Sequence, residues 1–332
     1  MNTVIVIMAA LMLAGLGIRL IHIARAEPRE RMLHAYSQQV GLALVPEIVP
    51  ELSRRIYCRE RAGIVGSMAG LVVGVAVLAV LHGNESPWNG LMVGVTIAVG
   101  STLGLIVSDS RSAFAPVPDA PRLARTVSPG LADYVTPLDR VFSLSLLAVA
   151  TLGYVAVLGV IAVNPERVFD NVSVRSILWP AGLLLVLAAA ASLLTWAAAG
   201  ALLGRGQPAG TFIELAWSDA FRSTTLRGLV GIPGIIAAVS SGVLFLSLSQ
   251  AIERPLPGSV GEILGDSFTI MGPVLLIVLT GWSITSLRNR STTHYLRRLW
   301  PDTAIELDRR RHARGPAVRD QPDEDSRTKT PA

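Results

Sequence analysis

Residues 177–203 read ILWPAGLLLVLAAAASLLTWAAAGALL, without one Asp, Glu, Lys or Arg. The hydrocarbon core of a bilayer is roughly 30 Å thick and takes about 20 helical residues to cross. A helix of a soluble domain has a polar face and could not remain uncharged for so long. The stretch GLVGIPGIIAAVSSGVLFLSLSQ (228–250) has the same character. Working outward, apolar runs at 3–23, 62–82, 88–108, 141–163 and 268–287 bring the expected spans to seven. The expected fold class is therefore all-α, a polytopic membrane helix bundle embedded in lipid.

Hydrophobic residues make up 51% of the 332 positions and charged residues 16%, the charges collecting between the apolar runs. All but one of the 29 basic residues are Arg, the exception being Lys329. Segments 24–61, 109–140, 205–227 and 288–332 hold 25 of them, whereas 83–87, 164–176 and 251–267 hold only Arg167, Arg175 and Arg254. Basic loops stay on the cytoplasmic side, so the N-terminus is expected outside and the C-terminus inside a plasma membrane. The net charge of +5 is thereby assigned to topology and not to nucleic-acid binding. The first run is read as a retained span, because MNTVIV lacks a basic residue while Arg25, Arg29 and Arg31 follow the run. Residues 1–287 are then the transmembrane bundle. Residues 288–332 form a basic juxtamembrane segment leading into a tail too polar to fold.

Lipid tails are as apolar as leucine, so spans associate by close packing of small residues. Gly66, Gly70 and Gly74 follow Ala62 at four-residue steps and make one smooth face. Gly90 and Gly94 offer a matching face on the next span, which also carries Gly100 and Gly104. Gly234 and Gly242 repeat the device near the end of the bundle. Short turns predict three hairpins, 62–108, 141–203 and 228–287, and Pro233 and Pro273 are candidate kinks.

Several chemistries find no residues here. The central parts of the spans carry hydroxyls but no ionisable group, unlike most ion-coupled transporters. A phosphate-binding loop needs a lysine, and Lys329 lies in the polar tail. His22, His34, His82, His294 and His312 have no metal-ligand spacing, and Cys58 is the sole cysteine. No catalytic residue, cofactor or metal is expected, and the chain is not read as an enzyme.

The basic loops are more specific. Ser128 followed by Pro129 predicts a helix start. Thr211 and Glu214 form a capping-box pattern opening a helix over 212–222. On that helix Asp219 and Arg222 stand three apart and are expected to pair on its surface, beside the apolar Trp217. Trp217, Asp219 and Arg222 are the candidate docking residues. The expected function is a membrane component that docks a cytoplasmic partner, an ATPase or a regulator. The alternative is a self-contained permease or channel for a small or lipid-like solute.

Three loop stretches, SRRIYCRERAG (53–63), SPGLADYVTP (128–137) and LAWSDAFRSTTLRGL (215–229), carry a resemblance. In order and in position relative to the spans, the chain resembles a group of uncharacterised actinobacterial multi-span membrane proteins. The resemblance implies a Gram-positive plasma membrane and brings no activity or site residue with it.

Overall fold

The computed structural model describes residues 3–80, 89–111, 128–163, 174–204, 206–207, 209–252 and 293–305. Most of those residues are helical, with no strand among them. Helix α1 (Thr3–Ile23) turns through 90° into α2 (Ala26–Val40). Gly41 ends α2 in the left-handed region at φ 77°, with its N–H on the Ser37 carbonyl at 2.8 Å. A short apolar link leads to α3 (Val49–Val80), and α4 (Asn89–Arg111) follows. Beyond a short α5 (Leu131–Tyr134) come α6 (Pro137–Val163), α7 (Val174–Leu203), α8 (Phe212–Ile252) and α9 (His294–Leu299).

Five helical stretches are long and apolar enough to cross a membrane: Val49–Ala79, Met92–Asp109, Pro137–Gly159, Leu178–Leu203 and Phe212–Phe245. Counting the bent α1–α2 pair as one span adds a sixth. The chain is thus a helical membrane protein. The expected span at 268–287, with Pro273, lies outside the described residues, as does all of the expected tail except 293–305.

One expected boundary disappears. The capped helix at 212–222 is continuous with the sixth span in α8, just as the basic residues before the second span are continuous with it in α3. At 1.5 Å per residue, the 41 residues of α8 run about 60 Å, twice the thickness of the hydrocarbon core. One end of α8 must therefore stand outside the lipid, and there α2, α5 and α9 gather around it as a cap.

Helix α8 is also the axis of the bundle, with 72% of its most apolar window buried. Helices α4, α6 and α7 pack on it, and α1 packs on α3. The expected α3–α4 hairpin is present. Helices α6 and α7 were expected to pair mainly with each other, but each packs more extensively on α8. A central helix offers both of them a deeper surface than their own shared edge.

Pro233 sits inside α8 and supplies no N–H, which leaves the Leu229 carbonyl without its intrahelical donor. Thr195 of α7 fills that role, donating to it at 3.1 Å. Gly234 N–H donates to Ser143 Oγ of α6 at 3.1 Å. Hydroxyls from two neighbours thus stitch into the opened backbone of the axis.

Candidate functional site

The cap is built on α8. Thr211 begins the helix, its hydroxyl accepting from Glu214 N–H at 3.2 Å, while the Glu214 carboxylate accepts from Gly210 N–H at 2.8 Å. The capping pattern is present with one shift: the reciprocal bond reaches Gly210 instead of Thr211. At 128–137 the helix starts are displaced from Ser128. Asp133 accepts from Gly130 N–H at 2.9 Å, and Thr136 Oγ1 accepts from Asp139 N–H at 3.1 Å, with Pro137 in the first turn of α6.

About two turns into α8, Asp219 is fully buried. Its Oδ1 accepts from Tyr134 Oη at 2.8 Å and Gln207 Nε2 at 3.0 Å, and its Oδ2 accepts from Trp300 Nε1 at 2.9 Å. A buried carboxylate is costly unless such donors replace water. Three separate segments therefore converge on one side chain. Ser223 adds a bond to the Tyr134 carbonyl at 2.9 Å. Beside this knot, Tyr36 of α2 stacks on Phe221 at 5.3 Å and on Trp217 at 6.2 Å. The guanidinium groups of Arg55 and Arg59 lie over the Phe221 ring at 4.9 and 5.6 Å.

The expected surface pair is therefore corrected. Trp217 and Asp219 are both 0% exposed, and their surroundings are other parts of this chain. Arg222 is half-buried and has interactions of its own. The indole N–H of Trp217 and the Tyr295 hydroxyl are buried without a hydrogen-bond partner among the described residues. Burial, reinforced by Tyr36 and Asp219, pushes the Tyr295 phenol well above its ordinary range.

Below the cap lies a cleft of about 330 Å³ between α4, α6 and α8. Two ion pairs mark its polar end. Arg227 Nε is 3.3 Å from Asp139, and Arg59 Nε is 3.7 Å from Asp109, the latter two side chains each 8% exposed. Thr225 also contacts the Asp109 carboxylate, and Arg59 donates to Tyr36 Oη at 3.0 Å. Thr102, Ser143 and Thr224 continue the lining, which becomes apolar at Val99, Leu146, Ile232 and Ile235. Arg227 and Asp109 fall in the segments 205–227 and 109–140, whose basic charge the sequence assigns to topology alone. The signal was present: a tight hairpin returns the end of α4 to the start of α3, setting Asp109 beside Arg59.

The glycines divide. A Cβ at Gly66 would collide with the Gly100 carbonyl, and one at Gly70 with the Thr96 carbonyl while lying 3.0 Å from Ile97 Cα. Gly74 lies against Thr96 and Val93, and a Cβ at Gly234 would lie 2.9 Å from Ser143 Oγ. Gly90, Gly94 and Gly242 have nothing within 4 Å of that position among the described residues, so the close face of α4 is instead Gly100 and Gly104.

Among the described residues, no three His, Cys, Asp or Glu side chains are grouped to hold a metal, and Cys58 is exposed. The three stretches that carry the resemblance meet in and around the cap, through Arg55 and Arg59, Tyr134, and Trp217 to Ser223. Comparison with protein-family models, curated proteins and solved structures finds no match.

Proposed function

We propose that the protein is a seven-span plasma-membrane protein, N-terminus outside and C-terminus inside, that binds a small polar or amphipathic solute in the α4–α6–α8 cleft, as a permease or channel does. The observation that supports this reading is the cleft itself. It joins the Asp139–Arg227 pair, Arg59 of a second pair and three hydroxyls to an apolar floor, within helices that reach into the membrane. The cap, cytoplasmic in this orientation, ties the ends of α3, α4, α6 and α8 together, so a solute at the ion pairs would bear on all four. No catalytic step, nucleotide or cofactor enters the reading. The resemblance to actinobacterial membrane proteins accords with a Gram-positive plasma membrane.

Purified full-length protein screened by thermal shift against small zwitterions, polyols and short amphiphiles should yield a stabilising class. Arg227→Gln should abolish that stabilisation while Arg54→Gln, at an exposed pair with Glu51, leaves it intact. Proteoliposomes should then exchange the labelled solute. No stabilisation by any class, or stabilisation that survives Arg227→Gln, removes this assignment. Orientation has its own test. A membrane-impermeant maleimide should miss the exposed Cys58 in intact cells and reach it after permeabilisation.

Docking of a cytoplasmic ATPase or regulator is the second reading, moved to a different surface. Phe212 and Ile213 are 65% and 42% exposed at the tip of α8, near the exposed Arg297 and Arg298 of α9. Co-purification of one soluble protein, lost in Phe212→Ser, would favour it.

A further inference from the structure

Asp139 and Arg140 are neighbours in the first turn of α6 and serve opposite sides of it. Asp139 lines the cleft with Arg227, whereas Arg140 lines a separate cavity of about 350 Å³ between α6, α7 and α8. Arg59 and Arg227 each have a carboxylate partner. Arg140 has none among the described residues, and its Nε is buried without a hydrogen bond.

The other polar groups of this cavity are already occupied. Thr195 donates to Leu229 O, Ser192 donates to Ala188 O at 3.0 Å, and Ser143 accepts from Gly234 N–H. The remaining wall is apolar, formed by Val141, Leu144 and Leu147 with Trp196, Val230 and Pro233. The cavity is thus a cation at one end of a hydrocarbon groove. The groove also opens sideways, since Val141, Leu144 and Trp196 are 63%, 56% and 64% exposed on the flank that a bilayer would cover. From Arg140 to Leu147 is about 10 Å along α6, well within one leaflet of a ~30 Å core.

We propose that this groove holds one anionic phospholipid, its phosphate head group on Arg140 and the upper part of one acyl chain along Leu144, Leu147 and Trp196. Charge complementarity selects the head group. A guanidinium with a desolvated Nε and no acidic partner gains most from a phosphate, which can accept from two nitrogens at once. The apolar wall selects a lipid over a free anion, because a soluble phosphate would leave that surface uncovered. Pro233 also matters here: the opened backbone of α8 is satisfied by Thr195 and Ser143, so it does not compete for the head group.

The test uses purified full-length protein, exchanged into phosphatidylglycerol or phosphatidylcholine and examined by native mass spectrometry and thermal melting. Wild type should retain phosphatidylglycerol preferentially and melt higher in it. Arg140→Gln should weaken that binding about fivefold, the scale set by one basic residue near an anionic surface. Arg140→Lys should keep most of the preference, and Arg298→Gln, on the exposed side of α9, should keep all of it. Inorganic phosphate added to the phosphatidylcholine sample should not reproduce the stabilisation. Equal binding by wild type and Arg140→Gln overturns the proposal, as does full stabilisation by phosphate alone. If Arg140→Gln already melts lower in phosphatidylcholine, Leu144→Trp decides. Filling the groove while keeping the charge must remove the preference, and its retention refutes the site.

Discussion

Helix α3 takes part in two regions held together in different ways. Its first turns, through Leu52, Arg55, Ile56 and Arg59, lie in the cap, where rings, charges and long-range hydrogen bonds meet. Two turns further on, Gly66 and Gly70 offer no side chain at all, and backbone lies on backbone. The difference follows the solvent. Outside the lipid, removing rings from water is favourable and buried polar groups can be matched across segments. Inside it, water exclusion supplies no driving force, so contact comes from van der Waals fit at the shortest approach. The hairpin should therefore respond to volume and the cap to hydrogen-bond chemistry.

Volume gives the largest expected effect. Gly70→Ala places a methyl group against the Thr96 carbonyl and Ile97 Cα, and backbone cannot rotate away as a flexible side chain could. Overpacking of this kind typically costs about 1–3 kcal/mol and sometimes more. Thermal melting in detergent should fall by many degrees, while Gly94→Ala, with nothing within 4 Å among the described residues, should leave it unchanged. Equal behaviour of the two variants would mean that the hairpin is not set by backbone contact.

That contrast also marks how far the sequence could be read. The apolar runs specify membrane helices because length and lack of charge admit little else. The stripe on α3 was legible because four-residue steps fall on one helix face. The matching face on α4 was not, since Gly90–Gly94 and Gly100–Gly104 are equal as local patterns. Only the register of the hairpin separates them, and the expected turn at 83–87 does contain it. Gly66 meeting Gly100 and Gly104, and Gly70 meeting Thr96 and Gly100, are pairings centred close to position 85. The cap was harder still. Asp219 and Arg222 look like a surface pair to any local rule, but the partners of Asp219 include Tyr134, 85 positions earlier, and Trp300, 81 positions later.

The second prediction breaks the cap instead. Asp219→Asn keeps the shape but turns one acceptor oxygen into a donor facing Tyr134, Gln207 or Trp300. Bonds to a charged acceptor are worth about 1.5–3 kcal/mol each, and an opposed donor adds a desolvation cost. The melting temperature should drop clearly. Protection of the α8 amides before Leu226 should fall in hydrogen exchange, with α4 little affected. Uniform loss of protection would show that cap and hairpin are one cooperative unit.

The smallest effect comes from comparing two buried tyrosines of the cap. Tyr134 donates to Asp219, so Tyr134→Phe removes one charge-assisted bond and should cost about 1–3 kcal/mol. Tyr295 is equally buried, but its hydroxyl has no hydrogen-bond partner among the described residues. Tyr295→Phe removes a polar atom that is desolvated without compensation, so melting near neutral pH should stay level or rise slightly. The two variants should separate further in alkali. The folded state holds the Tyr295 proton more tightly than the unfolded chain does, because burial raises its pKa. Stability linked to this group is therefore complete below the ordinary tyrosine pKa of about 10 and declines as pH rises above it. Wild type and Tyr134→Phe share that alkaline decline, and Tyr295→Phe should show a shallower one. If Tyr295→Phe instead melts well below wild type at neutral pH, its hydroxyl has a partner in the folded protein, and the cap holds a further polar contact.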